Sequence, residues 1–448
     1  MNKILTYAFL FSSLFALAQE ADSTKTKLKI SGSYEGNGQW YTNDKNRKIE
    51  HDSVPLRSNN YLNFNANYGK FTVGTQIESY TNEALLNFNP KFKRTDFATY
   101  YANYKSKKLD VTLGHYYVQF GSGMVLRTWE DRALGINNAL RGGKVVYSPN
   151  DNISLTALYG RVRTGFDVAK LIHQYLHPLL ELKMQFLRQL IKLESFDFKY
   201  GFSAVSRYEE LAESVTNIEP FTNLFSNRFE FGYKNYYLNT EYVFKSRDAM
   251  VRRDYIDTQF AKEGAGLLIN FGYSKKGFGF DANLRRVENM QLLAQRSLDN
   301  YPTLSSTSIN YNDKILNFIP SLTKQHHSNL ANIYVYQSQF QVVMDPSTIN
   351  QSGEIGGQFD LFYDFKKGTT IGGKYGTKVN LNVSTWYNLK AKFRYSNNAG
   401  ESIPNYHTEL FQTTEKYFSD YNIEITKKLS SKFKTAFTYI NQYYNNQF

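Results

Sequence analysis

The residues best placed for chemistry lie between Gln119 and Gly143, in the text QFGSGMVLRTWEDRALGINNALRGG. Arg127, Glu130, Asp131 and Arg132 make the densest charge cluster of the chain, beside Trp129 and five glycines, and Arg141 adds a further donor. Arg127 precedes Glu130 and Asp131 by three and four residues, which puts all three on one face of a helical segment. Two chemistries fit this pattern. The charges set a constriction or binding site inside a channel, or they pair with one another and pin a long loop.

Other reactive constellations are weak. The seven histidines are His51, His115, His173, His177, His326, His327 and His407. His173 and His177 have the i, i+4 spacing of a helical metal pair, but no third ligand accompanies them. His326 and His327 are adjacent, so their rings diverge. The sequence has neither H-E-x-x-H nor G-x-S-x-G. Cys is 0, which removes disulfide and thiolate chemistry. The expectation is therefore no catalytic residue, no metal, no cofactor and no enzymatic activity.

The elements that would position the cluster are strands. In Tyr61–Tyr68, Leu62, Phe64, Ala66 and Tyr68 share one face, and Asn63, Asn65 and Asn67 the other. Gly69-Lys70 then forms a two-residue turn into Phe71, Val73 and Ile77. The same unit recurs at 145–159, 229–242, 267–284, 359–381 and 421–439. Aromatics are 16% of the chain and mean hydropathy is −0.52. That combination suits a barrel apolar outside and wet inside, and no apolar run is long enough for a spanning helix. Net charge is +13, but Lys and Arg are dispersed, many in turns. Expected partners are outer-membrane lipid and lipopolysaccharide, with a small solute or partner protein, and no nucleic acid.

Short turns alternate with long segments, the latter at 36–59, 80–95, 119–140, 207–226, 246–264, 286–310, 338–356 and 385–417. Short turns belong to the periplasmic end of a barrel and long loops to the outer end. Three stretches strain the pattern. Residues 165–192 look helical, but Leu180, Leu182, Met184 and Phe186 alternate with Glu181, Lys183 and Gln185, so the inward strand that the meander requires is assigned at 180–187. Arg286–Asn300 has a helical pattern, read as a surface loop with one helical turn. Tyr311–Ile319 and Asn329–Gln337 are required to form a hairpin. The fold class is all-β, a transmembrane antiparallel up-and-down barrel of about 18–20 or more strands. The strands count to about 19, an odd number that ends outward, where a closed barrel has an even one, which implies a C-terminally truncated chain. Residues 1–18 read as a signal peptide: a basic start, an apolar run from Ile4 to Leu17, and Ala16-Leu17-Ala18 before a cut at Gln19. The barrel then occupies 19–448, exported to the outer membrane.

The text GHYYVQFGSGMVLRTWEDRALGINNALRGGKVVYSP from Gly114 onward resembles a family of Gram-negative outer-membrane barrels of unassigned function. LANIYVYQSQ (330–339), GEIGGQFDLFYDFKKGT (353–369) and IGGKYGTK (371–378) are similar to it as well, and VLRTWEDRALG (125–135) is the most specific stretch. Residues 165–192 depart from the family text. The resemblance implies an outer-membrane barrel without an assigned substrate or site. Two functions follow as expectations: a passive or gated conduit with loop 119–143 folded toward the lumen, or a scaffold or binding protein with long extracellular loops and a plugged lumen.

Overall fold

The computed structural model describes residues 27–48, 50, 54–80, 82–85, 88, 92–164, 166–168, 175–186, 196–211, 218–252, 255–294, 296, 315–326, 336, 338, 351–392 and 407–445. The expected signal peptide lies outside them. The strands are β1 (Lys29–Trp40), β2 (Leu56–Tyr68), β3 (Phe71–Ser79), β4 (Thr95–Lys105) and β5 (Leu109–Tyr116). Four two-residue strands follow: β6 (Gln119–Phe120), β7 (Leu126–Arg127), β8 (Glu130–Asp131) and β9 (Ile136–Asn137). Next come β10 (Leu140–Asn150), β11 (Ile153–Thr164), β12 (Asp167–Val168), β13 (Tyr175–Phe186), β14 (Phe196–Tyr208) and β15 (Phe221–Tyr233). Then β16 (Tyr236–Arg252), β17 (Tyr255–Lys275), β18 (Phe278–Glu288), β19 (Glu354–Phe365), β20 (Thr377–Lys392), β21 (His407–Lys428) and β22 (Lys434–Tyr444) complete the series.

All but β6 to β9 join one 18-stranded antiparallel sheet, in which each long strand pairs with its neighbour along the chain and β5 pairs with β10. This is the up-and-down meander of a transmembrane β-barrel. Among the described residues, β1 and β22 are its two edges and do not pair with each other.

The two faces differ as the alternation requires. On β15, Thr222, Leu224, Ser226 and Arg228 are buried, whereas Phe221, Phe225 and Phe229 are exposed. The Asn face of β2 turns inward and is satisfied there. Tyr101 donates to Asn65 at 2.9 Å and Thr72 to Asn67 at 2.7 Å. Toward the other edge of the sheet, Asn422 donates to Asn382, and Asn382 donates to Asp360. Rings from neighbouring strands meet at the short-turn end: Phe71 with Tyr104, Phe198 with Phe231, Tyr236 with Tyr273, and Phe278 with Tyr363. This is the aromatic girdle expected at a membrane interface. Phe225 lies on the lipid face between that girdle and the outer end. Phe225→Arg is expected to cost about 2–4 kcal/mol in refolding from urea into lipid vesicles. A cost within error would take Phe225 off the lipid face.

Several sequence readings are corrected. Within 165–192 the inward strand assigned at 180–187 is present as part of β13, which starts earlier, at Tyr175, so the helical look does not hold across 175–186. The supposed loop 246–264 is largely the outer ends of β16 and β17, which extend to Arg252 and from Tyr255. Strand β20 starts at Thr377 because 366–376 form a longer turn, closed by Gly373 donating to Thr369. Arg286–Glu288 finish β18, and 289–294 continue as irregular backbone, so the helical reading fails there. Residues 315–326 are irregular too, with a single bridge from Ile315 to Leu293, so the described part of the expected first arm, 315–319, is no wall strand; the second arm lies outside the described residues except at Tyr336. Apolar spacing cannot distinguish a segment packed against lipid from one packed inside the barrel.

Candidate functional site

The chain between β5 and β10 turns into the lumen as two small hairpins. In the first, β6 pairs with β7 around Gly121 and Gly123, both at positive φ. Its tip crosses to the opposite wall, where Ser122 N donates to Glu241 Oε2 at 2.9 Å. Gly121 is required by this approach, since a Cβ there would meet Glu241 Oε1 at 2.5 Å and Arg228 Cδ at 2.6 Å. Phe120, Met124, Val125 and Leu126 are fully buried.

The connection from β18 to β19 enters the lumen alongside it. Arg127 N donates to Leu316 O at 2.7 Å, Phe318 N to Gly123 O at 2.9 Å, and Leu316 N to Leu292 O at 2.8 Å. Asn317 stitches the three segments, donating to the carbonyls of Met124 and Met290 and accepting from Leu292 N. Met290, Leu292, Leu316 and Ile319 pack with the first hairpin against Val205, Leu224, Val243, Leu268 and Val287 of the wall. Leu322 touches this core and also a second one, made by Tyr336, Trp386, Tyr417 and Phe418. The filling therefore reaches the wall from β5 round to β21.

The second hairpin, β8 with β9, carries the acidic charges. Asp131 Oδ1 accepts from Ala133 N and Leu134 N, so this carboxylate shapes the turn. Glu130 accepts from Gln76 at 2.9 Å and from Arg132 at 3.2 Å. Arg132 also reaches Glu35 of β1 at 2.5 Å and lies over the Tyr61 ring. Burial opposes its charge, but Glu130 and Glu35 outweigh burial and its pKa is raised. Trp129 N donates to Asn138. Arg127 does not join the carboxylates. Its guanidinium lies between the rings of Trp129 and Phe318, at 4.3 and 4.2 Å from their centroids. The segment is not helical, which removes the shared face the spacing suggested. Arg141 stands apart on β10, in register with His115 and Arg161.

The structure thus joins Glu130 with Arg132 and Arg127 with Trp129, and leaves Asp131 and Arg141 outside the network. It adds pairings that the sequence did not mark. Glu78 and Arg163 form a buried ion pair at 2.8 Å, and Tyr80 donates to Glu78. A cavity of about 20 Å³ lies among Tyr61, Glu78, Glu130, Arg132 and Arg163, room for about one water molecule. His326 meets Asp420 at 2.6 Å, both buried, where the inner filling touches β21. Their polar types were visible, but partners so distant in sequence carry no local signal.

A family model described as a family of unknown function, DUF6029, matches residues 1–448. The chain belongs to this DUF6029 family. Among solved structures, the DUF6029 chain is similar to Pseudomonas aeruginosa OccK8 (OprE), at 11% identity and a TM-score of 0.42, with 93% of each chain covered. It is also similar to Pseudomonas aeruginosa OpdL, at 9% identity and a TM-score of 0.39, with 93% of each covered. For Pseudomonas aeruginosa OccK10 (OpdN) the values are 10% and 0.37, with 95% of this chain and 99% of the other covered. No curated protein matches the chain.

Proposed function

We propose that this DUF6029 protein is a gated conduit of the outer membrane, shut in the state described by the two lumenal insertions. One observation carries the reading. Phe120, Met124, Val125 and Leu126 are fully buried inside the barrel, interlocked with Met290, Leu292 and Leu316. A dry apolar layer is a barrier to ions and polar solutes, because each must shed its hydration to enter. The inward Asn and Asp side chains of the wall offer a wet path wherever that layer gives way. In this reading the chain is delivered by the signal at 1–18, and its outer loops face lipopolysaccharide. The transported species is a small solute.

A second reading is a plugged scaffold whose outer loops bind a partner. It is favoured by the filling's contact with both apolar cores through Leu322. Planar-bilayer recording separates the two. The gated conduit predicts brief, infrequent openings, whereas the scaffold predicts none. Arg127→Ala with Arg132→Ala should raise the opening probability several-fold, because stacking worth about 0.5–2 kcal/mol is lost at Arg127. A current unchanged by the pair would remove these arginines from gating.

A further inference from the structure

Six of the seven described short turns carry lysine. They are 69–70 (β2 to β3), 106–108 (β4 to β5), 234–235 (β15 to β16), 276–277 (β17 to β18), 366–376 (β19 to β20) and 429–433 (β21 to β22). Together with the seventh, 151–152, these turns hold nine lysines and one carboxylate, Asp151, a net +8 within a chain of +13. All nine lysines are exposed. Among the described residues, none of them is paired with a carboxylate. The acids beside the turns are engaged by strand lysines instead: Asp110 with Lys105 and Asp364 with Lys378, each at 3.6 Å.

Solvation alone does not explain this bias. A solvated turn needs polarity of either sign, and a turn presents no unpaired strand edge for lysine to guard. Lys234 even stands at φ +53°, a left-handed position that Gly or Asn fills with less strain.

The lysines lie just beyond the aromatic girdle, and cations at this end stand over its rings. Lys234 Nζ is 5.0 Å from the centroid of Tyr233. Lys275, which ends β17, is 5.8 Å from Tyr273 and 6.0 Å from Phe278. Phe271, Tyr273 and Lys275 alternate along β17 and so share its lipid face. In the longest turn, Lys374 and Lys428 stand 5.6 and 5.7 Å from the Tyr375 ring. Girdle rings sit at headgroup depth, so an ammonium group beside them on the lipid face meets phosphate. Short turns mark the periplasmic end, opposite the loops that face lipopolysaccharide, so the phosphate is that of phospholipid.

We infer that this rim is a binding surface for anionic phospholipid of the periplasmic leaflet, its turn lysines gathering headgroups around the barrel. The attraction adds up along a lysine cluster and fades within a Debye length. It is the same for an open and a plugged barrel, so it stands apart from the conduit reading.

The test places the full chain in phosphatidylcholine vesicles with a trace of spin-labelled phosphatidylglycerol or spin-labelled phosphatidylcholine. Electron spin resonance reads the fraction of each label immobilised at the protein. Phosphatidylglycerol should be preferred by at least about threefold at low salt. The preference should vanish at about 1 M salt, where the Debye length is about 3 Å. A variant with Lys234→Gln, Lys276→Gln, Lys366→Gln and Lys367→Gln alters only exposed turn side chains, so it should fold and lose most of the preference. A matched variant with Lys45→Gln, Lys48→Gln, Lys93→Gln and Lys390→Gln removes the same charge away from the short turns and should keep it. No preference in the unaltered chain, or one that persists in 1 M salt, would overturn the proposal. Equal losses in the two variants would overturn it as well, since net charge and not the rim would then be responsible.

Discussion

Replacing residues 121–136 with a short Gly-Ser link is expected to turn a mostly silent barrel into a steadily conducting one. The link removes Met124, Val125 and Leu126 and leaves β5 and β10 paired through Tyr116↔Leu140 and onward. Each fully buried side chain of that kind contributes about 1.5–3 kcal/mol to the closed arrangement. Removal also deprives the second insertion of its partners: Asn317 loses the Met124 carbonyl, Phe318 loses Gly123, and Leu316 loses Arg127 N. A closed state favoured by several kcal/mol would then be disfavoured, and the mean current in planar bilayers should rise by about 100-fold or more. A variant that folds, judged by its heat-modifiable mobility, yet stays silent would count against the conduit and for the plugged scaffold.

The wall was legible because a strand writes its environment at period two. Asn63, Asn65 and Asn67 against Leu62, Phe64 and Tyr68 could only be a two-faced strand, and the register found is the one that alternation demands. The lumenal filling was legible in only one half. The glycines and the dense text of 119–143 marked a loop folded inward, but its charges drew attention away from Phe120, Met124 and Leu126, which do the packing. The other half was misread. Leu292, Leu316 and Ile319 are apolar for the same reason as residues on a lipid-facing strand, since both are hidden from water, and spacing alone cannot say what hides them. Ion pairs across the barrel were invisible for a different reason. Glu78 and Arg163 are 85 residues apart, so their meeting depends on a circumference that no local pattern encodes. The pairing assumed for Arg127 with Glu130 failed because it rested on a helix, whereas β6 to β9 are two hairpins that send Arg127 and Glu130 to different neighbours.

The largest loss of stability from one substitution is expected at Arg285. Its guanidinium is fully buried on the inner face of β18, paired with Glu354 of β19 and lying 4.1 Å from the centroid of the Trp386 ring on β20. Tyr336 donates to the other oxygen of Glu354 and stacks on Trp386, so one ion pair ties three wall strands to the second core. Arg285→Met leaves the Glu354 carboxylate buried without its counter-charge, and breaking such a pair costs about 3–5 kcal/mol. That should appear as a lower urea midpoint with an unchanged slope. Arg285→Met combined with Glu354→Gln removes both charges and keeps an acceptor for Tyr336, so it should recover most of the loss, because burying the two ions was itself costly. If the double variant is as unstable as the single one, the loss lies in the Arg285–Trp386 stacking and not in the stranded carboxylate. If neither variant shifts the midpoint, β18 to β20 are held by their backbone ladder alone and the pair is dispensable.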